Sequence, residues 1–185
     1  MVTIITYFVH GTTTDNLKKI STGWLPGKLS ELGIKQSQEL VRQTREKKFD
    51  IVFCSDLKRA VDSAEITFGG KSRELLITAD KRLRECNYGE LNGQPESVVE
   101  PMMESCIEKP YPKGESYRDV EQRMRSFLKE IVGKYSGKHI ALVAHKAPQL
   151  ALDVILKKKS WKQAIAEDWR RVGKWQPGWD YVLAN

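Results

Sequence analysis

Four short apolar runs along the chain predict buried strands. Such nearly unbroken runs are typical of strands that are covered on both faces. They are VTIITYFV at 2–9, FDIVFCS at 49–55, ELLITAD at 74–80 and KHIALVAH at 138–145. We expect the first of these runs to form the central strand of a sheet.

Segments with apolar residues at helical spacing lie between these runs and predict amphipathic helices. Ser30 and Asp56 are suited to cap the first two helices, and Gly69 is suited to end the second. Strands that alternate with helices predict an α/β fold, a three-layer αβα sandwich with a mostly parallel central sheet. The predicted helices cover 30–47, 56–68, 97–107 and 117–135.

The C-terminal stretch is rich in tryptophan and lysine. Its tryptophans could form a platform for a membrane surface or for single-stranded nucleic acid. However, Trp161, Ile165 and Trp169 are spaced to share one face of a helix, which favours packing against the core. The segment WQPGWDYVL at 175–183 predicts a turn that enters an edge strand.

Composition places the chain in the globular class and adds little else. Its 185 residues, 40% of them hydrophobic, suit one domain that covers 1–185. The N-terminus resembles neither a signal peptide nor a membrane span, and three cysteines without CxxC spacing suit reduced thiols, so we expect a cytoplasmic protein. A formal charge of +7 fits an anionic partner such as nucleic acid, a membrane surface or a phosphorylated small molecule, without choosing among them.

Several polar residues follow the predicted strands directly: His10, Ser55, Asp80 and His145. Ligands of a parallel α/β sheet bind beyond the carboxyl ends of its strands. We therefore expect one edge of the sheet to gather these side chains.

Two further residues near this edge, Arg59 and Glu85, complete with the histidines a set suited to phosphate chemistry. A neutral imidazole can attack phosphorus, the guanidinium of Arg59 can grip two phosphate oxygens, and the carboxyl group of Glu85 can protonate a leaving alkoxide. Gly11 and the threonines at 12–14 would offer N–H and hydroxyl donors to a phosphoryl group, and Asn16 would add an amide. No spacing of Cys, His and carboxylates predicts a metal site, and no cofactor is expected.

The order of these motifs resembles the histidine phosphatase superfamily, which is also called phosphoglycerate mutase-like. The resemblance covers nearly the whole chain and implies that family's fold and its phosphoester chemistry. The matching segments are VHGTTTDN at 9–16, STGWLPGKLSELGIKQSQEL at 21–40, CSDLKRAVDSAEI at 54–66, RLRECNYGELNG at 82–93, GESYRDVEQRM at 114–124 and VAHKAPQLAL at 143–152.

Carried over position by position, the resemblance implies a role for each residue of the site. His10 would be the nucleophile that becomes phosphohistidine, and Glu85 the proton donor. His145 would act beside them in catalysis. The residues implied in phosphate binding are Arg59, Asn16, Gly11 and Lys146, and those implied in contacts with the rest of the substrate are Thr22, Gly23 and Arg84.

The chain departs from the family pattern at two positions. The arginine that the family places before the first histidine is Val9 here, and the glycine after the second histidine is Lys146. Loss of one preorganised donor typically lowers a rate by about 10²- to 10³-fold, which predicts weak turnover unless another cation substitutes. Lys146 and Arg84 are the candidate substitutes.

We therefore expect a phosphatase that acts on a small phosphorylated metabolite or binds inorganic phosphate. A catalytically silent module that binds phosphate ligands or proteins is the alternative, and phosphoglycerate mutase-type transfer is a weaker one. We expect neither nucleic acid nor a membrane as partner, and a homodimer is compatible with the sequence.

Overall fold

The structure is a computed structural model, and it describes residues 2–70, 75–174 and 176–183. The strands are β1 (Thr3–Val9), β2 (Ile20–Ser21), β3 (Ile51–Cys54), β4 (Ile77–Ala79), β5 (Gln94–Pro95), β6 (His139–Ala144) and β7 (Trp179–Leu183). The α-helices are α1 (Thr14–Leu17), α2 (Glu31–Gln43), α3 (Lys58–Phe68), α4 (Glu96–Val99), α5 (Tyr117–Lys134), α6 (Lys146–Leu156), α7 (Trp161–Ala166) and α8 (Trp169–Val172). Short 3-10 helices lie at Lys81–Leu83, Gly89–Leu91 and Glu100–Met102.

The main sheet has five strands in the order β4-β3-β6-β1-β7. All neighbouring strands in it are parallel except β7, which pairs antiparallel with β1 at one edge. This arrangement confirms the α/β fold with a mostly parallel sheet. The prediction that the first strand is central was wrong: β6 lies in the middle of the sheet, because it pairs with β1 on one side and with β3 on the other. The strands β2 and β5 form a separate two-stranded sheet.

Both faces of the main sheet are covered, which explains why its strands are almost continuously apolar. Successive residues of β1 point to opposite faces, so Phe8 and Tyr7 belong to different cores. On one face, Phe8 packs in a cluster with Val52, Val143, Ala64 and Phe68, the last two from α3. On the other, Tyr7 packs in a cluster with Phe53, Leu142, Met124, Phe127 and Ile155 from β3, β6, α5 and α6.

The helix ends agree with the sequence at two places and differ at two. Ser30 caps α2 by accepting a hydrogen bond from the N–H of Gly33 at 3.1 Å, although the helix ends at Gln43 rather than near Lys47. Gly69 ends α3 as predicted. The predicted cap at Asp56 was wrong because its carboxylate pairs with Arg84, and the helix begins after Leu57 without a side-chain cap.

Three other segments differ in length or continuity. The predicted helix at 97–107 is reduced to α4 and one 3-10 helix, which turns follow. The strand predicted at 74–80 is reduced to β4 (Ile77–Ala79), and Glu74 lies outside the described residues. Trp169 does not share a helix with Trp161, because α7 ends at Ala166. The predicted C-terminal edge strand is confirmed as β7, although Trp175 lies outside the described residues.

No helix within the described ranges is long and apolar enough to cross a bilayer.

Candidate functional site

Two histidines meet where β1 and β6 end. These strands pair in parallel with Val9 beside Ala144, so the residues that follow them, His10 and His145, leave the sheet side by side. The N–H of His10 donates to the carbonyl of Ala144 at 3.1 Å and extends the pairing by one residue. The two imidazole ring centroids lie 5.0 Å apart. The expected gathering of both histidines at one sheet edge is therefore confirmed.

The tautomer of His10 follows from the one hydrogen bond that its ring makes within the described part of the chain. Its Nδ1 lies 2.8 Å from the carbonyl oxygen of Gly11. A carbonyl only accepts, so Nδ1 carries the proton and Nε2 keeps a lone pair. Burial and the charge of Arg59 lower the pKa of His10 to about 3. The ring is therefore neutral at neutral pH, which is the form that can act as a nucleophile.

His145 is only 1% exposed, and neither of its ring nitrogens has a hydrogen-bond partner among the described residues. Its backbone is fixed by Tyr7, whose hydroxyl donates to the His145 carbonyl at 2.6 Å and accepts from its N–H at 2.9 Å. Burial, and then the charge of Arg59, hold the pKa of His145 well below its usual range. Buried polar atoms are nearly always paired, so a buried ring without partners beside a cavity indicates a ligand site.

Arg59 brings a buried positive charge to the same place. It is 2% exposed, and its guanidinium donates to the carbonyls of Gly23 at 2.7 Å and Leu25 at 3.3 Å. Within the part of the chain that the structure describes, these carbonyls are its hydrogen-bond partners and no carboxylate is among them. Burial is the main reason that its pKa is lowered. An unpaired buried guanidinium is expected to attract an anion.

Glu85 is anchored at the start of α6, directly after His145. Its Oε1 accepts from the N–H groups of Cys86 and Ala147, both at 2.9 Å, and its Oε2 accepts from the N–H of Lys146 at 3.1 Å. The carboxyl group thereby satisfies two N–H groups of the first helical turn, which have no partner inside the helix. Oε2 makes only one of these bonds and keeps a free lone pair that can carry a proton.

The loop after His10 differs from its prediction in how its backbone is used. The N–H groups of residues 11–14 were expected to close around a phosphoryl group, but all four already donate elsewhere. Their acceptors are Ser63 Oγ, Gln36 Oε1, Asn16 Oδ1 and the carbonyl of Lys28. Gly11 serves another purpose: a Cβ there would lie 2.4 Å from the carbonyl oxygen of Gly33 in α2. It is required for the close approach of loop and helix.

Three predicted substrate or phosphate residues do line the cavity between these elements. Thr22 is buried and donates its hydroxyl to Asp15 at 2.8 Å. Gly23 has a φ of 56° and supplies the carbonyl that receives Arg59. The side chain of Asn16 uses its oxygen to cap α1 and faces the cavity from there.

Other predicted residues are engaged away from a phosphate. The guanidinium of Arg84 makes a two-pronged pair with Asp56, lies 4.6 Å above the ring of Trp24, and is not among the residues that line the cavity. Lys146 does line it, but its ammonium is paired with Glu100.

Two strand-end residues from the sequence prediction also stay outside the lining. Ser55 accepts a hydrogen bond from the N–H of Leu57 at 3.2 Å. Asp80 pairs with Arg82 at 2.6 Å, so both side chains hold local structure next to the strands that carry them.

The cavity has a volume of about 570 Å³ and includes residues that the sequence did not single out. Arg170 and Asp168 reach it from the C-terminal segment, and Arg170 also hydrogen-bonds Gln149 of α6. These contacts join positions far apart in the chain, so no local pattern signals them. No group of three or more His, Cys, Asp or Glu side chains in the described ranges could hold a metal ion.

Comparisons with known proteins agree with this geometry. Residues 7–171 match the model of the histidine phosphatase superfamily, branch 1. A 2,3-bisphosphoglycerate-dependent phosphoglycerate mutase from a Methylobacterium species is 30% identical over 160 residues, which cover 80% of this chain and 77% of that protein. Fructose-2,6-bisphosphatase TIGAR B of Danio rerio is 30% identical over 142 residues, which cover 73% of this chain and 55% of that protein.

A solved structure, the mycobacterial glucosyl-3-phosphoglycerate phosphatase, superimposes with a TM-score of 0.79 at 25% identity, covering 90% of this chain and 84% of that one. The relatives are thus phosphatases and mutases whose fold matches the sheet and helices described above. The chain belongs to the histidine phosphatase superfamily.

Proposed function

We propose that the chain is a phosphatase that hydrolyses phosphomonoesters of small molecules through a phosphohistidine on His10. One observation carries the proposal: two neutral imidazoles and an unpaired guanidinium, from His10, His145 and Arg59, line a single cavity. A volume of about 570 Å³ lies within the usual range for sites that bind small molecules.

In the first step, Nε2 of His10 attacks phosphorus. The N–P bond forms while the bond between phosphorus and the ester oxygen breaks, and Glu85 gives its proton to the departing alkoxide. Nδ1 keeps its proton and donates it in a hydrogen bond to the carbonyl of Gly11. This bond orients the ring and stabilises the positive charge that develops on it.

In the second step, water attacks the phosphohistidine and Glu85 accepts its proton. The N–P bond breaks, inorganic phosphate leaves, and both residues return to their starting forms. Arg59 and the one ring N–H of neutral His145 would donate to the phosphoryl oxygens, where negative charge is greatest in both transition states. Thr22 and Gly23 would contact the remainder of the ester, because both line the cavity beside Arg59.

A second candidate is a silent module that binds phosphate ligands without turnover. Val9 favours it, because this residue lines the cavity at a position where the family resemblance leads us to expect an arginine. The Val9→Arg variant separates the two proposals. A silent module binds phosphate esters as wild type and gains turnover in the variant, whereas a phosphatase already turns over with Val9.

The proposal is tested by trapping the intermediate. Purified protein is incubated with a panel of ³²P-labelled monoesters and quenched in base, in which phosphohistidine survives. We expect label that is stable to base and labile to acid, and none in His10→Ala. The third histidine offers a matched control: His139 contacts Thr6 through Nε2 at 2.8 Å, at the other end of β6, so His139→Gln should label like wild type.

Two outcomes of this experiment would contradict the proposal. Absence of label in wild type with every ester rejects a phosphohistidine mechanism. Equal label in wild type and His10→Ala rejects His10 as the nucleophile. Supplying a phosphoglycerate acceptor during turnover tests mutase-type transfer, because a mutase passes the label to the acceptor and a phosphatase passes it to water.

A further inference from the structure

The cavity wall at Val9 offers no hydrogen-bond donor from its side chain, which packs against the hydrophobic core. A phosphoryl group bound beside Val9 would have the guanidinium of Arg59 on one side and the apolar side chain of Val9 on another. Neither cation suggested as a substitute is available in the structure. Lys146 is a point charge without a planar fork and is held by Glu100, and Arg84 is held by Asp56 away from the cavity.

A different guanidinium reaches this cavity from the C-terminal segment. Arg170 lies in the first turn of α8 and lines the same cavity as Val9, His10 and His145. Its Nη1 donates to Asp168 at 2.8 Å, and its Nη2 donates to the side-chain oxygen of Gln149 at 3.1 Å. Because both acceptors are buried, this side chain is fixed at the cavity wall rather than free in solvent.

The segment that carries Arg170 is itself attached to the rest of the fold. The ring of Trp169 stacks on Trp179 of β7, with centroids 5.1 Å apart and planes inclined by 24°. Its indole N–H donates to Gln149 at 3.1 Å, so one side chain of α6 holds both residues. The guanidinium of Arg170 lies 4.4 Å from the ring of Trp169. Packing thus preorganises the arginine before any ligand arrives.

Arg170 keeps enough donors for a ligand. A guanidinium has five N–H bonds, and the contacts with Asp168 and Gln149 use two of them. One N–H on each terminal nitrogen and the N–H of Nε are left, which suffices for a two-pronged contact with phosphate oxygens.

The charge of Arg170 also acts at the reacting groups. It contributes to lowering the pKa of His10, after burial and Arg59, and it contributes in the same direction for His145. A cation that disfavours a protonated imidazole is also placed to stabilise a phosphoryl anion bound to that imidazole.

We infer that Arg170, held by Asp168 and Gln149, supplies the second guanidinium to the phosphoryl group, in place of the arginine expected at position 9. The inference rests on the proposed phosphatase function. It makes Arg170 a catalytic residue that reaches the phosphate from the C-terminal end of the fold instead of from the loop after β1.

The test compares Arg170→Met, Arg170→Lys and the double variant Val9→Arg/Arg170→Met with wild type. The readouts are kcat/KM for the ester that is turned over best and the Kd of orthovanadate, measured by calorimetry. We expect Arg170→Met to lose about 10²- to 10³-fold in kcat/KM, the usual loss for one preorganised donor. Vanadate should bind more weakly in the same variant. Val9→Arg should restore part of both, because it brings a guanidinium into the same cavity.

Arg42→Met is the matched control, because Arg42 lies on α2 with a side chain that is 80% exposed. Thermal unfolding checks that each variant is folded. If Arg170→Met does not fold, Arg170→Lys decides the matter, because it keeps a charge beside Asp168 and lacks the planar fork. Arg170→Lys should then lose at least about tenfold in kcat/KM, because an ammonium cannot make the two-pronged contact with phosphate oxygens.

The outcomes separate this inference from the proposed function. Unchanged kcat/KM and vanadate affinity in folded Arg170→Met or Arg170→Lys overturns the role of Arg170 and leaves the phosphatase intact. A wild type that neither hydrolyses any ester nor binds vanadate overturns both. Loss in Arg170→Met without any recovery from Val9→Arg overturns the claim that the two positions serve the same phosphoryl group.

Discussion

The imidazole rings of His10 and His145 lie edge to face, with centroids 5.0 Å apart and an angle of 61° between their planes. Two cationic rings at this separation would repel each other, and Arg59 adds a third positive charge. The pKa values of both rings are lowered, first by burial and then by the charge of Arg59. The site therefore presents two neutral bases and a guanidinium, an arrangement that an incoming anion stabilises.

This arrangement predicts how stability depends on pH. The pKa of His145 in the folded protein is well below the 6.5 of an unperturbed ring, so below pH 6.5 the unfolded chain binds a proton that the folded chain does not. The contribution of His145 to the free energy of unfolding is fully present above pH 6.5 and decreases as the pH falls from 6.5 to 5. Each such proton contributes a slope of about 1.4 kcal/mol per pH unit.

Urea denaturation at pH 7.5, 6.0 and 5.0 measures that slope. His145→Gln removes one of two buried rings with a lowered pKa and leaves His10, so its free energy of unfolding should fall less steeply over the same range. Equal slopes in the two proteins would show that His145 is not buried in its neutral form.

Tyr7 is expected to act through His145. Its hydroxyl bonds both the N–H and the carbonyl of that residue, so Tyr7→Phe leaves two buried backbone groups unpaired. We expect a loss of about 1–3 kcal/mol in the free energy of unfolding. We also expect a fall in kcat with little change in KM, because His145 is displaced while Arg59 and the lining loop remain.

Thr3→Val is the control for this effect. It also removes a buried hydroxyl that bonds a backbone carbonyl and a backbone N–H, those of Tyr135 at 3.0 Å and Gly137 at 3.3 Å, and it lies at the other end of β1 from His10, so it should lower stability without lowering kcat. Equal kinetic losses in the two variants would mean that Tyr7 acts only through general stability.

The role of Glu85 predicts a dependence on the leaving group. Glu85→Gln keeps the shape of the side chain but cannot donate the proton that an alkoxide needs. Turnover of an alkyl phosphate should fall by about 10²- to 10⁴-fold, the range typical of general acid catalysis. p-Nitrophenyl phosphate releases a stabilised phenolate, so formation of the phosphoenzyme from it should be much less affected. Burst kinetics measures that step, and equal losses for both esters would reject Glu85 as the proton donor.

The sequence predicted the parts of the site that depend on strand ends and missed those that depend on long-range contacts. His10 and His145 could be located because each directly ends an apolar run, and parallel strands bring such ends together. Arg170 could not, because its place depends on Gln149, a side chain on another helix. The same holds for Asp56, a good helix cap by composition that instead binds Arg84 from a distant loop.

A close backbone contact beside the site lies between Gly11 and Gly33. A Cβ on Gly11 would lie 2.4 Å from the carbonyl oxygen of Gly33, and backbone atoms cannot rotate away as a side chain can. Gly11→Ala must therefore move α2 away from the loop, and we expect a loss of about 1–3 kcal/mol in the free energy of unfolding. The Gly11 carbonyl accepts the hydrogen bond from Nδ1 of His10, so the variant should also form less phosphohistidine.

Gly133→Ala is the contrasting control. Gly133 belongs to α5, and a Cβ added there would meet no described atom within 4 Å beyond its chain neighbours and its own helix backbone. Alanine is the better helix former, so this variant should gain up to about 1 kcal/mol. Chemical denaturation and ³²P trapping of both variants measure the two effects together. Full stability and full labelling in Gly11→Ala would mean that α2 can shift without disturbing His10, and that Gly11 does not fix the position of the nucleophile.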